Sequence, residues 1–71
     1  MSFGIILATH AHIGEALLEG AEMLAGKQTR VCALSLTENK SAEEFEAEFS
    51  EVYSELDEAY DHVVALCDIY G

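Results

Sequence analysis

The sequence predicts an α/β protein built on a parallel open sheet, and three observations lead there. Apolar runs of strand length alternate with longer stretches of helical period, in the order β-α-β-α-β. The strand runs are continuously apolar, as expected of strands covered on both faces. Each helical stretch is long enough to return the chain to the start of a parallel neighbour.

The first run is "FGIILA", Phe3 to Ala8. From Ile13 the period becomes helical. Ile13, Leu17, Ala21 and Leu24 fall at i, i+4, i+8 and i+11, and this stripe is expected to face the sheet, with Glu15, Glu19 and Glu22 largely off it. Gly26 stands where a helix C-cap is wanted, and Lys27 complements the negative end of the dipole. "VCALSL", Val31 to Leu36, is the second strand, and the polar loop "TENKS" follows it. Ser41 with Glu44 forms an S-x-x-E capping box. The helix it opens carries Phe45, Phe49, Val52, Leu56 and Ala59 at spacings of four, three, four and three. Tyr53 and Tyr60 lie on or beside that stripe and read as packing residues. The acidic side chains around it read as a solvated face. The third run, "VVALC" from Val63 to Cys67, ends in "DIYG".

Right-handed crossovers restrict how these pieces assemble. With the first strand central, the second on one side and the third on the other, the helices cover opposite faces. This is the 2-1-3 order of flavodoxin-like folds. Its switch point is the crevice at the carboxyl ends of the first and third strands, where open α/β sheets bind ligands. His10 follows the first strand and Asp68 the third, so both flank the crevice. Two helices do not cover both faces of three apolar strands. Residues 1–71 therefore read as incomplete by themselves, either a single partial domain that is the first half of a larger α/β sandwich or a unit whose missing cover other chains supply.

Composition narrows the function classes. The chain has 71 residues and a net charge of −11, with Lys27, Arg30 and Lys40 its only lysines and arginines. Nucleic-acid binding needs basic groups against phosphates and is excluded. Cys32 and Cys67 lie inside apolar runs and are expected to be buried thiols of a reducing compartment. The N-terminus has no basic n-region, and its apolar run is too short for a signal peptide or a span. A cytoplasmic protein with no direct membrane insertion is expected.

The chemistry-bearing residues cluster at "THAH", Thr9 to His12. An imidazole at the end of a strand, just before a helix, can act as nucleophile, base or metal ligand. The amides of residues 11 to 14 are expected to point at an anion there, assisted by the helix dipole. A carboxylate such as Asp68 can take the proton of the other ring nitrogen and fix the tautomer. His10, Asp68 and the helix N-terminus thus fit a phosphohistidine site. The plain alternative is a histidine in a polar turn.

Other readings are weaker. His10 and His12 form H-x-H, a spacing that can chelate zinc with Cys67 or Asp68 added. A structural zinc site needs four ligands, and Cys67 is expected to face the core. No metal and no cofactor is expected. His12 is expected to line the pocket rim, and Tyr70, after Asp68, to line the site or a partner surface. His62 precedes the third strand and lies roughly 17 Å from the His10 end. Asp68 as a phosphate acceptor would need an acidic pair after the first strand, where Thr9 and His10 stand instead. No G-x-G-x-x-G or P-loop follows that strand.

With Thr9-His10, Leu17-Leu18, Ala21-Glu22-Met23, Gly26 and Asp68-Ile69-Tyr70-Gly71 in order, the chain resembles a known family. It is similar to the N-terminal half of the mannose-family IIA domains of the bacterial sugar phosphotransferase system. The resemblance runs over nearly the whole chain. It implies that His10 takes a phosphoryl group from the phosphocarrier HPr and passes it to a IIB domain or subunit. It implies that Asp68 orients the His10 ring, while Thr9, Ala11, His12, Tyr70 and Gly71 line the phosphate pocket. It also implies a homodimer and no cofactor. Ala11 stands where the family usually has glycine. Two alternatives stay open, a noncatalytic regulatory or assembly module of the same fold and the phosphotransfer subunit of a dihydroxyacetone kinase.

Overall fold

The computed structural model describes residues 2–68. Along the chain they form β1 (Phe3–His10), α1 (Ile13–Ala25), β2 (Val31–Leu36), α2 (Ala42–Ala59) and β3 (His62–Cys67). The sheet order is β2-β1-β3 with both pairings parallel, which is the predicted fold class and strand order. β1 runs past its apolar stretch, because Thr9 and His10 pair with Ser35 and Leu36. The central strand thereby carries the ladder to the first histidine.

Side chains alternate across β1 and meet a different helix on each face. Gly4, Ile6 and Ala8 lie under α2, and Ile6 is fully buried. Leu34 and Leu56 complete the core, with Phe45, Phe49, Val52, Tyr60 and Val63 packed against it. The α2 stripe thus docks as its spacing predicts, except that Ala59 is exposed and Tyr60 packs in its place. A Cβ on Gly4 would lie 3.0 Å from the Leu56 Cβ, so the absent side chain lets α2 come this close. The capping box is complete. Glu44 N donates to Ser41 Oγ at 3.1 Å, and Ser41 N donates to Glu44 Oε1 at 3.3 Å.

α1 does not dock on the stripe that its spacing suggests. Gly14 is buried and Leu18 and Glu22 are half-buried, whereas Ile13, Leu17 and Leu24 are 42%, 63% and 93% exposed. The reason is a close approach at Gly14. A Cβ there would meet Thr9 Oγ1 at 3.0 Å and Leu7 Cβ at 3.4 Å. Docking through that contact turns the neighbouring apolar stripe outward. α1 packs over β2 and β1 only, so Val64 and Leu66 on β3 are also exposed on its face of the sheet.

β3 explains the corrections among the other residues. Cys67, expected to face the core, is exposed, because α2 covers this edge strand mainly at Val63. Cys32 is half-buried, and both thiols are free. Tyr53 is 45% exposed and lines a shallow groove with Phe49, Ser50 and Ser54, so only Tyr60 of the two tyrosines packs on the core. His62 lies at the amino end of β3, stacked on Phe3 with ring centroids 5.2 Å apart, far from His10 as expected. Ser2 and Asp61 exchange hydrogen bonds at that same end. No helix among the described residues is long and apolar enough to cross a membrane. Tyr70 and Gly71 lie outside the described residues.

Candidate functional site

The site is built where β1 gives way to α1. His10, the last residue of β1, meets Asp68 just past β3, 58 positions along the chain. The two make a double contact. His10 N donates to Asp68 Oδ1 at 3.0 Å, and the ring Nδ1 lies 2.8 Å from Oδ2. An ionised carboxylate only accepts, so Nδ1 carries the proton and Nε2 keeps its lone pair. His10 is exposed and Asp68 about one-third exposed, which leaves the ring open to a large partner.

The turn after His10 is held by the backbone. Ala11 N donates to Leu36 O at 2.8 Å, and Ala11 sits at φ 51°, in the left-handed region. Alanine in that region costs roughly 1 kcal/mol, which glycine does not incur. Thr9 lies beneath the turn rather than in the pocket wall. It is buried, and its Oγ1 accepts the Gly14 amide at 2.8 Å. Two of the four amides expected to face an anion, those of Ala11 and Gly14, are therefore already engaged. His12, the N-cap residue of α1, makes no capping hydrogen bond with its own side chain.

Among the described residues, a cleft opens on the β2 side of His10, with Asp68 on the β3 side. Its volume is about 490 Å³, and it is lined by His10, Ala11 and His12 from one loop and by Leu36, Thr37, Glu38 and Asn39 from the other. Lys40 pins this second loop. Its Nζ donates to Ser35 O at 3.0 Å and lies 2.7 Å from Glu48 Oε1. The polar run "TENK" read only as a connector in the sequence. Its place at the carboxyl end of a strand in an open α/β sheet was the signal that it borders a site.

His12 has a carboxylate of its own, which the sequence reading passed over. Its Nδ1 lies 3.0 Å from Glu15 Oε2, one turn into α1. The Glu15 carboxyl is held below its ordinary value of 4.5, first by the Ser35 hydroxyl and then by His12, with Lys40 adding a smaller attraction. Ser35 Oγ itself is buried and has no hydrogen-bond partner among the described residues, so the direct contact on Glu15 is the one from His12. No group of three or more histidine, cysteine or acidic side chains suited to a metal ion occurs among the described residues.

The fold is an open α/β sheet in 2-1-3 order, with an imidazole–carboxylate pair at the end of its central strand, where such sheets bind ligands. The family model described as "PTS system fructose IIA component" matches residues 4–71, and the chain belongs to this family of sugar-phosphotransferase-system IIA components. No curated protein matches the sequence significantly.

Proposed function

We propose that the chain carries a phosphoryl group on Nε2 of His10, receiving it from HPr and handing it to a IIB partner during sugar uptake in the cytoplasm. The observation that carries this reading is the double contact between His10 and Asp68 in a chain of the IIA family. In the forward step the Nε2 lone pair attacks the phosphorus of the donor's phosphohistidine. A new P–N bond forms on His10, and the donor's P–N bond breaks with its electron pair returning to the donor ring. The Nδ1 proton stays between His10 and Asp68. As Nε2 gives up its lone pair the ring becomes cationic, and the Asp68 carboxylate stabilises that charge. Transfer to the IIB partner is the same displacement with His10 as leaving group.

The resemblance also implies a homodimer. The apolar side chains left exposed on α1 and β3 are the surface available to one. Incubation with phosphoenolpyruvate, enzyme I and HPr is expected to label the protein in an acid-labile manner, and His10→Ala to abolish the label. A label that persists in His10→Ala sinks the assignment.

A further inference from the structure

Two imidazole–carboxylate pairs flank Ala11, and the carrier reading uses only one. His12 and His10 line the same cleft, and each presents Nδ1 to a carboxylate. The surroundings are short of positive charge. Net charge is −11, and Lys27 and Arg30 lie in the connection from α1 to β2, at the amino ends of the strands. Lys40 is committed to Ser35 O and Glu48. Among the described residues lining the cleft, His12 is the one side chain besides His10 able to become cationic, and Glu38 is the one acid. A phosphoryl group on His10 brings up to two further negative charges into this field.

We propose that His12, held by Glu15, is a catalytic residue that pairs as an imidazolium with the phosphoryl group on His10. The proposal rests on the carrier reading and deepens it. Glu15 engages Nδ1–H at 3.0 Å, so in the imidazolium Nε2–H is left to donate to a phosphoryl oxygen. The Glu15 carboxyl is held below its ordinary value, by Ser35, His12 and, more weakly, Lys40. The charged groups around His12 are thus Glu15 on its own helix, Glu38 on the facing loop and Asp68 beyond His10, with Lys40, bound to Ser35 O and Glu48, attracting Glu15 weakly. His12 is about two-thirds exposed, so its contribution is smaller than that of an enclosed donor.

The test uses phosphoramidate, a small donor that needs no partner protein. Its P–N bond breaks as the bond to His10 Nε2 forms, and the leaving nitrogen takes a solvent proton and departs as ammonia. The second ionisation of the phosphoryl group on His10 is then followed by ³¹P NMR. It is expected at higher pH in His12→Gln than in the wild type, and back near the wild-type position in His12→Lys. With HPr as donor, His12→Gln is expected to slow transfer about tenfold, the loss falling on kcat rather than KM, and His12→Lys to recover most of it. An unmoved ionisation in His12→Gln, or a lysine variant no better than glutamine, overturns the proposal. If His12→Gln does not fold, Glu15→Gln takes its place, and an unmoved ionisation there overturns it equally. Transfer from HPr that fails beside a shifted ionisation refutes the carrier reading alone. Normal transfer with no shift refutes only the role of His12, and a wild-type chain that phosphoramidate leaves unmodified at His10 refutes both.

Discussion

The pairs His10–Asp68 and His12–Glu15 look alike in geometry, with Nδ1-to-carboxylate distances of 2.8 and 3.0 Å, yet they arise in different ways. The first spans 58 positions and exists only because β1 and β3 are parallel neighbours. The second spans three positions and needs only the first turn of a helix. A long-range pair is fixed by two strand ends that cannot slide, so it holds its ring in one orientation. A local pair on an exposed helix turn is adjustable. The difference suits the proposed nucleophile in the first case and the proposed counterion in the second.

The largest effect is expected from Asp68→Asn. The amide cannot stabilise the cationic ring and can turn its own N–H toward Nδ1, which reverses the tautomer. Phosphoryl transfer from HPr should fall by about 10²-fold or more, read as the initial rate of acid-labile labelling. A rate within threefold of wild type would erase the distinction between the two pairs. Gly14→Val comes next, since it forces a branched side chain against Thr9 and Leu7, beneath the turn that joins the pairs. A loss of about 2 kcal/mol in urea unfolding is expected. Unchanged stability would mean that α1 is free to shift on the sheet.

Ala11→Gly tests the hinge between the pairs from the other direction. Removing the left-handed strain should raise stability by about 1 kcal/mol, seen as a higher thermal midpoint. The smallest effect concerns Glu15. Its folded value is depressed, so its contribution is complete above the ordinary carboxylate value of 4.5 and is lost as pH falls through the lowered one. The thermal-midpoint difference between wild type and Glu15→Gln should therefore shrink on acidification through that range. A difference that grows there would give the local pair the wrong sign.

Much of this arrangement was legible in the sequence, and the two helices show where legibility stopped. The α2 stripe and its Ser41–Glu44 box predicted the docked face, because large apolar side chains and packing contacts coincide there. In α1 they do not. Its docking is decided by Gly14, a residue without a side chain, and a hydrophobic pattern does not register an absence. The juxtaposition of His10 and Asp68 followed from strand order alone. The cleft on the β2 side did not, because it depends on Lys40 holding the facing loop. The exposure of Cys67 also escaped the pattern, since an apolar run does not reveal how far a helix reaches across an edge strand.

The 58-position span between His10 and Asp68 also bears on how the molecule comes into being. Closing so long a loop is costly in chain entropy, and parallel pairing offers no tight turn to begin from. His10 gains Asp68 as a partner only when β3 docks beside β1. A chain emerging from the ribosome thus has both imidazoles long before it has the His10–Asp68 pair. In the proposed function, acceptance of a phosphoryl group on His10 therefore waits on the docking of β3.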